Sequence, residues 1–557
     1  MENTPVPLTL LTLLVAAIAL YFVGLGASSI WDANEAYYVD TPRQMVLSGD
    51  YVNPSFNGAP RFNKPVLSYW IVAGLYQAFG TSVAVERFGI ALGALGLFAA
   101  TFVIGRIVRS ARVGVTAALI LASSPRVLMW SRRIFIDIYL ALFMAVTLMF
   151  FVLAQARPAH RRRYLVLMYA AVGLGVLTKG PVAAVLPLLA GVVYLTWTRR
   201  LGELRRMMLP AGALIVAAIV APWYIAVYAQ HGWTYIADFL LRENLGRYAE
   251  TFGLQDRGPW FYLGILLSDL FPWALLLPAA IVAAMHVPAR ASRSVGTERL
   301  PRLLLVWIVV IVGVFTFSHT KQDLYIFPIV PALAVLMALA LDDASLPSGR
   351  SGRLMTGSLV AIAVMLAVVG VGLEWLFGSA AGPNRIAGAT TIAIIISAGA
   401  LVTLVCLIRR VTAAAVAAIA TTAVAANVVL VLVALPAFER FKPILPMTQV
   451  IQQRARPGAV VAQYQVILPS MVFYLGRPVE PFFDIPSLAR RAEATTEMYL
   501  VIRPAEYDMF RNEAQVSSCV LDRRPLFEAK IANVLRREPW PELLLIGVGG
   551  ACGASLD

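Results

Sequence analysis

The sequence predicts a polytopic α-helical membrane protein that ends in a small α/β domain. Of its 557 residues, 59% are hydrophobic, and the mean hydropathy is +0.75, which is too apolar for a soluble globular protein. Apolar segments of about 20 residues, long enough to cross a bilayer as helices, recur over most of the chain. Charged residues return from about Glu439 onward. We therefore divide the chain into a membrane domain, residues 1–438, and a tail domain, residues 439–557.

Thirteen hydrophobic segments are predicted to cross the membrane. They lie near 8–27, 84–106, 112–124, 134–155, 164–177, 181–198, 208–228, 261–285, 302–318, 325–341, 355–377, 386–408 and 412–436. The N-terminal M-E-N-T-P-V-P has no positive residue before the first apolar run, so we expect a retained span there and no cleaved signal peptide. The segment Val66–Phe79 is too short to cross; its aromatic residues predict an interfacial position within an outer loop, residues 28–83.

Arginines concentrate in alternate loops between these segments, and the net charge of the chain is +15. The six arginine-rich loops include Arg109, Arg161, Arg205, Arg293, Arg353 and Arg409. By the positive-inside rule, these loops and the N-terminus face the cytoplasm, and thirteen spans then place the tail domain on the opposite side. The basic residues thus indicate the topology of the chain. The sequence shows no basic patch with interleaved aromatic residues, so it does not predict a nucleic-acid partner.

The tail domain shows alternating strand and helix signals. β-like runs occur at Val460–Val466, Met498–Ile502 and Leu543–Val548. Helix-like stretches at Pro446–Arg454 and Pro504–Asn512 both open on proline, which suits a first helical turn. The run I-L-P-S-M-V-F-Y-L-G-R-P is interpreted as a strand and turn of the core. These signals predict a small α/β fold.

Cysteine and histidine give no sign of a metal site. Cys406 lies inside a hydrophobic segment, Cys519 and Cys552 lie in the tail domain, and the four histidines are scattered. No spacing typical of metal ligands occurs, so no cofactor is assigned, although the sequence does not decide whether a divalent metal is needed. A Cys519–Cys552 disulfide would require an oxidising compartment around the tail domain.

Polar residues that could take part in a reaction are concentrated in the loops opposite the arginine-rich set. The segment Trp31–Pro65 holds carboxylates, cations and aromatic rings beside the membrane, which suits chemistry on a charged lipid head group, although a solvated loop is the simpler alternative. Asp137 lies at the outer end of the fourth span, and Lys179 interrupts nearly continuous apolar sequence. Ionisable groups near the bilayer centre cost about 2.5–3.5 kcal/mol on insertion scales, so such groups usually face a polar cavity or a partner. Their convergence predicts one outward-facing site.

The candidate residues of this site are bases and cations. The bases are Asp32, Glu35 and Asp137, and the cations are Lys64, Lys179, Arg242, Arg247 and Lys321. Tyr325 follows Lys321 by four residues, so both side chains would face the same way at the start of a helix. Two alternatives stay open: Asp137 could form a salt bridge with Arg132 or Arg133, and each lysine could extend to the membrane surface.

An ordered set of motifs resembles one family. The motifs are W-D-A-N-E-A-Y-Y and F-N-G-A-P-R-F-N-K-P in the first outer loop, L-T-K-G-P at 177–181, P-W-Y at 222–224, R-E-N-L-G-R-Y at 242–248, G-P-W-F-Y at 258–262 and S-H-T-K-Q-D-L-Y-I-F-P at 318–328. Over nearly the whole chain they resemble bacterial polyprenyl-phosphate-sugar-dependent glycosyltransferases of the glycosyltransferase-C fold. Lipid A aminoarabinose transferases are the more similar type, and protein O-mannosyltransferases are more distant.

This resemblance implies positions for the acids of the reaction. The acidic pair of the family falls on Asn34 and Glu35, so an amide replaces its first acid here. Asp32 or Glu35 would then have to take the proton from a hydroxyl acceptor, or the acceptor needs no base. A phosphate acceptor, as on lipid A, is already a nucleophile and would tolerate the loss. The second-loop acid of the family falls on Asp137.

The resemblance also implies the groups that hold the donor phosphate as negative charge builds on it. The lysine of the K-P element of the family falls on Lys64. Asn63 precedes it here, whereas the motif that the aminoarabinose enzymes resemble is E-K-P, with an acid at this position. The phosphate-contacting arginine and tyrosine of the family fall on Arg247 and Tyr325. The remaining candidates for phosphate binding are Lys179 and Lys321, and those for other substrate contacts are Asn34, Arg61, Arg242 and Glu243.

The expected function is transfer of a sugar from an undecaprenyl-phosphate donor to lipid A or another envelope acceptor. The reaction would take place on the periplasmic face of the bacterial inner membrane. One alternative is a protein O-glycosyltransferase that uses the same type of donor. The other is a lipid or sugar transporter, although no internal repeat of the kind common in transporters is visible. We expect a monomer with membrane lipids as partners.

Overall fold

The structure, a computed structural model, describes residues 6–32, 34–133, 136–246, 248, 257–285, 299–343, 350–379, 382–527, 535–536 and 538–553. The helices of the membrane domain are α1 (Leu8–Ala19), α2 (Asn34–Ser48), α3 (Leu67–Phe79), α4 (Val83–Val108), α5 (Ala111–Ser123), α6 (Pro125–Ser131), α7 (Asp137–Ala156), α8 (Arg161–Lys179), α9 (Val182–Trp197), α10 (Leu209–His231), α11 (Trp233–Ala237), α12 (Phe261–Asp269), α13 (Leu277–Met285), α14 (Leu300–Thr316), α15 (Val330–Asp343), α16 (Arg350–Phe377), α17 (Ala389–Ile408), α18 (Thr412–Val429) and α19 (Leu435–Ala437). Strands β1 (Ser55–Phe56) and β2 (Ala59–Pro60) form a hairpin between α2 and α3.

The helical, polytopic architecture predicted from the sequence is confirmed. Each of the thirteen predicted segments overlaps a helix or a bent helix pair. Within the described residues, seven helices are long and apolar enough to cross a membrane, or up to nine if each of two bent pairs is one span. Helices α1, α9 and α14 are apolar but shorter. The count of thirteen crossings stays a prediction.

Helices α7 and α8 run between an arginine-rich loop and the pair Asp137 and Lys179. Helix α7 begins at Asp137 and ends just before the arginine-rich loop at Arg157, and α8 returns from Arg161 to Lys179 beside it. A helix of 20 residues, the length of α7, spans about 30 Å. The arginine-rich loop and the pair Asp137 and Lys179 therefore lie at opposite ends of these two helices.

A buried ion pair anchors the start of α2 to α4. The Oε1 atom of Glu35 accepts a hydrogen bond from Nε of Arg87 at 2.8 Å, and both side chains are only 2% exposed. The same guanidinium donates to the backbone carbonyls of Leu25, Ser28 and Ser29 at 2.8–2.9 Å. One arginine thus uses its fork of donors to fix the chain that enters the first outer loop.

The tail domain is an α/β unit on a five-stranded sheet. Its strands are β3 (Val460–Tyr464), β4 (Glu480–Phe482), β5 (Glu497–Ile502), β6 (Ser518–Pro525) and β7 (Glu542–Gly549), and its helices are α20 (Ile444–Arg454), α21 (Ser470–Leu475), α22 (Ile485–Glu493) and α23 (Pro504–Glu513). The strand order is β4-β3-β5-β7-β6. Strand β3 is parallel to β4 and β5, and β7 is antiparallel to β5 and β6. Every residue of the central β5 is buried because hydrophobic clusters cover both faces of the sheet.

The three predicted β runs and the two predicted helices of this domain are confirmed, but the interpretation of Ser470–Leu475 as a strand and turn is wrong. This segment is helix α21, and Gly476, with φ +66°, ends it in the left-handed conformation that favours glycine. The backbone N–H of Ser470 donates to Asp32 at 2.8 Å, and the Ser470 hydroxyl donates to the same carboxylate. Helix α21 therefore joins the tail domain to the first outer loop.

Cys519 and Cys552 form a disulfide that joins β6 to the turn after β7, across a sequence separation of 33 residues. We expect that replacing both cysteines with serine lowers the free energy of unfolding of the tail domain by about 3–4 kcal/mol, the chain-entropy value for a loop of this length. Thermal unfolding of the purified full-length protein measures this loss, with Cys406→Ser as the control. Alkylation of Cys519 and Cys552 in unreduced protein would contradict the disulfide.

Candidate active site

A polar cavity of about 420 Å³ lies where the first outer loop meets the ends of α7, α8 and α9. This volume is in the range of small-molecule sites. Its polar lining residues come from five separate segments of the chain and are Asn34, Tyr38, Arg61, Asn63, Lys64, Asp137, Lys179, Glu243, Tyr248, Ser318, Gln322 and Tyr325. The fold therefore brings together side chains that are almost 300 residues apart in the sequence.

Asp137 and Lys179 form an ion pair in this cavity. Asp137 opens α7 and is 6% exposed, and its Oδ1 atom contacts the ammonium of Lys179, the last residue of α8. Gly180, with φ +93°, follows immediately and ends the helix. The ammonium of Lys179 also lies 5.4 Å from the centre of the Tyr325 ring, which is a cation–π distance. The pair thus holds one charge of each sign at the cavity wall.

The alternative pairing of Asp137 with Arg132 or Arg133 is wrong. The guanidinium of Arg132 donates to the backbone carbonyls of Leu20 and Gly24. The guanidinium of Arg133 lies over the ring of Trp31, 3.7 Å from its centre. Both arginines are therefore engaged in other contacts, and Asp137 pairs with Lys179 instead.

A second ion pair connects the first outer loop to the π-helical segment Asp238–Gly246. The Nζ atom of Lys64 lies 3.5 Å from Oε2 of Glu243, and their side chains are 19% and 6% exposed. Both residues line the cavity. The second lysine of the cavity is thus also paired with an acid.

Arg61 differs from the two lysines because no acidic side chain of the described residues pairs with it. Its guanidinium lies 3.7 Å from the centre of the Tyr37 ring, and its buried Nε atom has no hydrogen-bond partner within the described part of the chain. A buried donor that lacks a partner costs free energy. Arg61 also lines the cavity, so its positive charge can stabilise an anion bound there.

Seven of the residues predicted for the site line this one cavity. They are Asn34, Arg61, Lys64, Asp137, Lys179, Glu243 and Tyr325. Arg247, which the resemblance assigns to the phosphate, lies outside the described residues. The central geometric expectation, that acids and cations of different outer loops meet in one pocket, therefore agrees with the structure for these seven residues.

The structure places two predicted bases outside the cavity lining. Glu35 is held in the buried pair with Arg87, and the carboxylate of Asp32 is bound by Ser470. Neither residue lines the cavity. Both carboxylates therefore anchor the first outer loop in the structure, and proton transfer by either residue stays a prediction.

Two predicted cations also lie outside the cavity lining. The side chain of Arg242 is 60% exposed and pairs with Asp238 at 2.9 Å. The ammonium of Lys321 donates to the backbone carbonyl of Ser318 at 2.8 Å. The prediction that Lys321 and Tyr325 face the same way is wrong, because the 3₁₀ turn that carries Tyr325 begins only at Asp323.

Sequence reasoning missed several polar lining residues, including Tyr38, Ser318 and Gln322. Tyr38 could have been found, since it follows Asn34 by four residues on α2 and so shares its face of the helix. Burial raises the pKa of Tyr38 well above its usual value, so its hydroxyl stays neutral. Ser318 and Gln322 belong to an irregular segment whose side-chain directions no periodicity could predict.

A second cavity, of about 650 Å³, follows the first along α9 and has an almost entirely apolar lining. Val182, Val185 and Leu186 line the polar cavity, and Pro187 and Leu188 line the apolar one. Helices α7 and α14 also contribute side chains to both cavities. The site is thus a polar chamber with an apolar chamber next to it.

Comparison with known proteins assigns the fold to the glycosyltransferase-C class of membrane proteins. The structure is similar to that of ArnT from Cupriavidus metallidurans bound to undecaprenyl phosphate, with a TM-score of 0.77 and 23% sequence identity over 96% of this chain and 97% of that one. In addition, residues 6–236 match the profile of the dolichyl-phosphate-mannose-protein mannosyltransferase family.

Two relatives narrow this class to a family. The undecaprenyl phosphate-alpha-4-amino-4-deoxy-L-arabinose arabinosyl transferase 2 of Pseudomonas fluorescens is 31% identical over 363 residues, which are 64% of this chain and 60% of that protein. The transferase of the same description from Edwardsiella ictaluri is 30% identical over 380 residues, 66% of this chain and 67% of that protein. The chain belongs to the family of these undecaprenyl phosphate-aminoarabinose arabinosyl transferases. Its match spans about 60% of the length of the Pseudomonas relative.

Proposed function

We propose that this protein transfers a sugar from undecaprenyl phosphate to a phosphate group of an envelope acceptor such as lipid A. The observation that carries the proposal is the convergence of Arg61, Lys64 and Lys179 on one cavity of about 420 Å³. The names of the relatives, which specify undecaprenyl phosphate as the sugar carrier, support it.

The three cations have a defined task in this reaction. As the bond between the anomeric carbon and the phosphate oxygen breaks, its electron pair passes to that oxygen, and the leaving phosphate gains negative charge. Fixed cations that surround this position stabilise the transition state more than the ground state. No general acid is needed, because a phosphodiester donor releases a stable phosphate anion. The apolar cavity of about 650 Å³ beside the site offers room for the prenyl chain.

The acceptor that fits this cavity is one that needs no base. Among the described residues, Asp137 and Glu243 are the carboxylates of the lining, and each already contacts a lysine. A hydroxyl acceptor requires a group that takes its proton, whereas a phosphate anion attacks the anomeric carbon without losing one. The geometry therefore favours a phosphate acceptor over a hydroxyl.

A protein O-glycosyltransferase is the second candidate. The match of residues 6–236 to the dolichyl-phosphate-mannose-protein mannosyltransferase family favours it. In that case Asp137 would have to leave Lys179 and take the proton of a serine or threonine hydroxyl. The donor half of the reaction would be unchanged.

We place the cavity and the tail domain on the periplasmic face of the inner membrane. The cavity lies at the end of α7 and α8 opposite the arginine-rich loop, which the positive-inside rule assigns to the cytoplasm. The Cys519–Cys552 disulfide supports the same assignment, since disulfides persist in oxidising compartments.

A reconstituted reaction tests this function. The full-length protein in detergent receives a glycosylated undecaprenyl-phosphate donor with either lipid A or a serine-rich peptide, and mass spectrometry identifies the product. We expect the sugar on a phosphate of lipid A. Transfer to the peptide alone would establish the O-glycosyltransferase, and donor transport across liposomes without any transfer would establish the transporter.

We expect Arg61→Met to weaken the binding of undecaprenyl phosphate by about 10- to 100-fold, because a hydrogen bond to a charged group contributes about 1.5–3 kcal/mol. Arg242→Met is the matched control, since that exposed side chain pairs with Asp238 away from the cavity. Titration of the lipid against the intrinsic fluorescence of both variants measures the two dissociation constants. Equal weakening by both variants would contradict the role of Arg61.

A further inference from the structure

We propose that Arg126 and Asp323 are positioning residues of the active site, and that their ion pair sets where the hydroxyl of Tyr325 meets the phosphate of the undecaprenyl-phosphate donor. Both residues would act through the 3₁₀ turn Asp323–Ile329, which carries Tyr325, and not by contact with the substrate. The inference rests on the proposed function, which places this phosphate in the polar cavity.

The 3₁₀ turn forms part of the wall of the polar cavity. Gln322, Leu324 and Tyr325 line the cavity, and the ring centre of Tyr325 lies 5.4 Å from the ammonium of Lys179. A tyrosine hydroxyl can donate a hydrogen bond to a phosphate oxygen. A displacement of the turn would therefore move this hydroxyl relative to a phosphate bound in the cavity.

Asp323, the first residue of the turn, connects the turn to helix α6. Its Oδ1 atom accepts a hydrogen bond from the backbone N–H of Leu324 at 3.1 Å, and its Oδ2 atom accepts one from Nη2 of Arg126 at 2.7 Å. A 3₁₀ helix has three residues per turn, so side chains two positions apart point in different directions. Asp323 therefore holds the turn through Arg126, while Tyr325 lines the cavity.

Arg126 is itself held at the end of a second helix, α12. Its Nε atom lies 2.9 Å from Oδ1 of Asp269, which is buried, and its Nη1 atom donates to Oγ of Ser268 at 2.5 Å. The guanidinium also lies 4.3 Å from the centre of the Trp130 ring. Because a guanidinium is planar and its donors have fixed directions, contacts at all three nitrogens determine its orientation.

A second contact holds the turn on the other side of Tyr325. The ring of Phe327 packs edge-on against that of Trp130, with 5.1 Å between the ring centres, and Phe327 is fully buried. Arg126 and Trp130 are four residues apart on α6 and so share one face of this helix. Helix α6 therefore contacts the residues two positions before and two positions after Tyr325.

These contacts join three interruptions of the helical bundle. Helices α5 and α6 form a pair that bends by 69°, and α12, which ends at Asp269, belongs to a pair that bends by 107°. The 3₁₀ turn is the third interruption. Backbone groups at helix ends lack their intrahelical partners, so side-chain contacts contribute more to the position of such segments. Arg126 lies in one segment and pairs with acids of the other two, and thereby fixes their relative position.

A double-mutant cycle tests whether this support acts on Tyr325. Tyr325→Phe and Asp323→Ala are made separately and together in the full-length protein, and titration in detergent gives the dissociation constant for undecaprenyl phosphate. We expect Tyr325→Phe to raise this constant by about 10- to 100-fold in the wild type, because its hydroxyl would donate to a charged group. In the Asp323→Ala background the effect of Tyr325→Phe should be at least about fivefold smaller, since the hydroxyl is displaced.

Asp323→Ala suits this cycle because the side chain is 44% exposed and Arg126 keeps its pair with Asp269. Arg126→Met alone would remove the cation beside a buried acid and threaten folding. It is therefore combined with Asp269→Asn, and we expect the same reduction of the Tyr325→Phe effect in that background. The matched control is Glu203→Ala, which breaks a 2.7 Å pair with Arg161 at the arginine-rich end. In this control Tyr325→Phe should keep its full effect.

Each outcome supports or overturns the inference. An equal effect of Tyr325→Phe in the wild type and in both backgrounds, even with lower melting temperatures, would mean that the ion pair only supports the fold, and overturns it. A wild-type protein in which Tyr325→Phe changes nothing overturns it as well and leaves the proposed function to the three cations. The expected coupling in a protein that transfers no sugar would support the positioning role and contradict the proposed function. Failure of the wild type to bind undecaprenyl phosphate overturns both.

Discussion

Replacing Lys64 with methionine is expected to lower kcat/KM for the undecaprenyl-phosphate donor by about 100- to 1,000-fold, the loss found when one preorganised charge-stabilising group is removed from an active site. Methionine retains most of the length of the side chain and removes its charge. Lys64 lines the cavity three residues after Arg61, so both cations reach the same volume. Initial rates in detergent at several donor concentrations measure the effect.

Two companion variants make this result specific. Lys64→Met removes the ammonium that lies 3.5 Å from Glu243, and the double variant Lys64→Met with Glu243→Gln also removes the charge of that acid. We expect the double variant to stay as slow as the single one; recovery to the wild-type rate would mean that Lys64 serves only to neutralise Glu243. Lys321→Met removes a lysine outside the cavity lining, and we expect its rate to change less than about threefold, under 1 kcal/mol.

Replacing Arg87 with leucine is expected to destabilise the protein by about 3–5 kcal/mol, because removal of one partner leaves the other as an uncompensated buried charge. The partner is Glu35, which is 2% exposed. Three backbone carbonyls at the entrance to the first outer loop would lose their donor as well. Thermal unfolding in detergent, monitored by size-exclusion chromatography of the heated samples, measures this loss of stability. A melting temperature equal to that of the wild type would contradict the anchoring role.

Glu35→Gln separates the structural role of Glu35 from the catalytic role that the sequence predicted. If the role of Glu35 is structural, the Glu35→Gln variant has a lower melting temperature than the wild type. Its kcat, per folded molecule, then stays within about tenfold of the wild-type value. A catalytic base would instead lower kcat by about 100- to 10,000-fold at a nearly unchanged melting temperature. The double variant Glu35→Gln with Arg87→Met should regain part of the stability, since neither residue of this pair then carries a buried charge.

Much of the site could be predicted because its residues are unusual in a membrane protein. Asp137 and Lys179 interrupt apolar sequence, and such groups need a polar partner or cavity. The structure brings these two residues together at the end of the bundle opposite the arginine-rich loop, as the alternation of charged loops predicts. Hydropathy and charge thus determine the architecture and one wall of the cavity.

The failures have a common cause in tertiary contacts that no local pattern encodes. Glu35 is predicted as a base because it is one of the carboxylates of the first outer loop. No local pattern indicates its partner, Arg87, which lies at the beginning of a hydrophobic segment. The helix Ser470–Leu475 is six residues long, too short for helical periodicity to be distinguished from a strand. Its contact with Asp32, more than 400 residues away, also removed a predicted base from the cavity.

A cryo-electron microscopy structure of the full-length protein with undecaprenyl phosphate tests the cavity as the phosphate site most directly. We predict the phosphate within hydrogen-bond distance, about 2.7–3.2 Å, of Arg61 and Lys64, with the prenyl chain along α9. A phosphate bound at the arginine-rich end of α7 and α8, or anywhere else outside this cavity, would contradict the account.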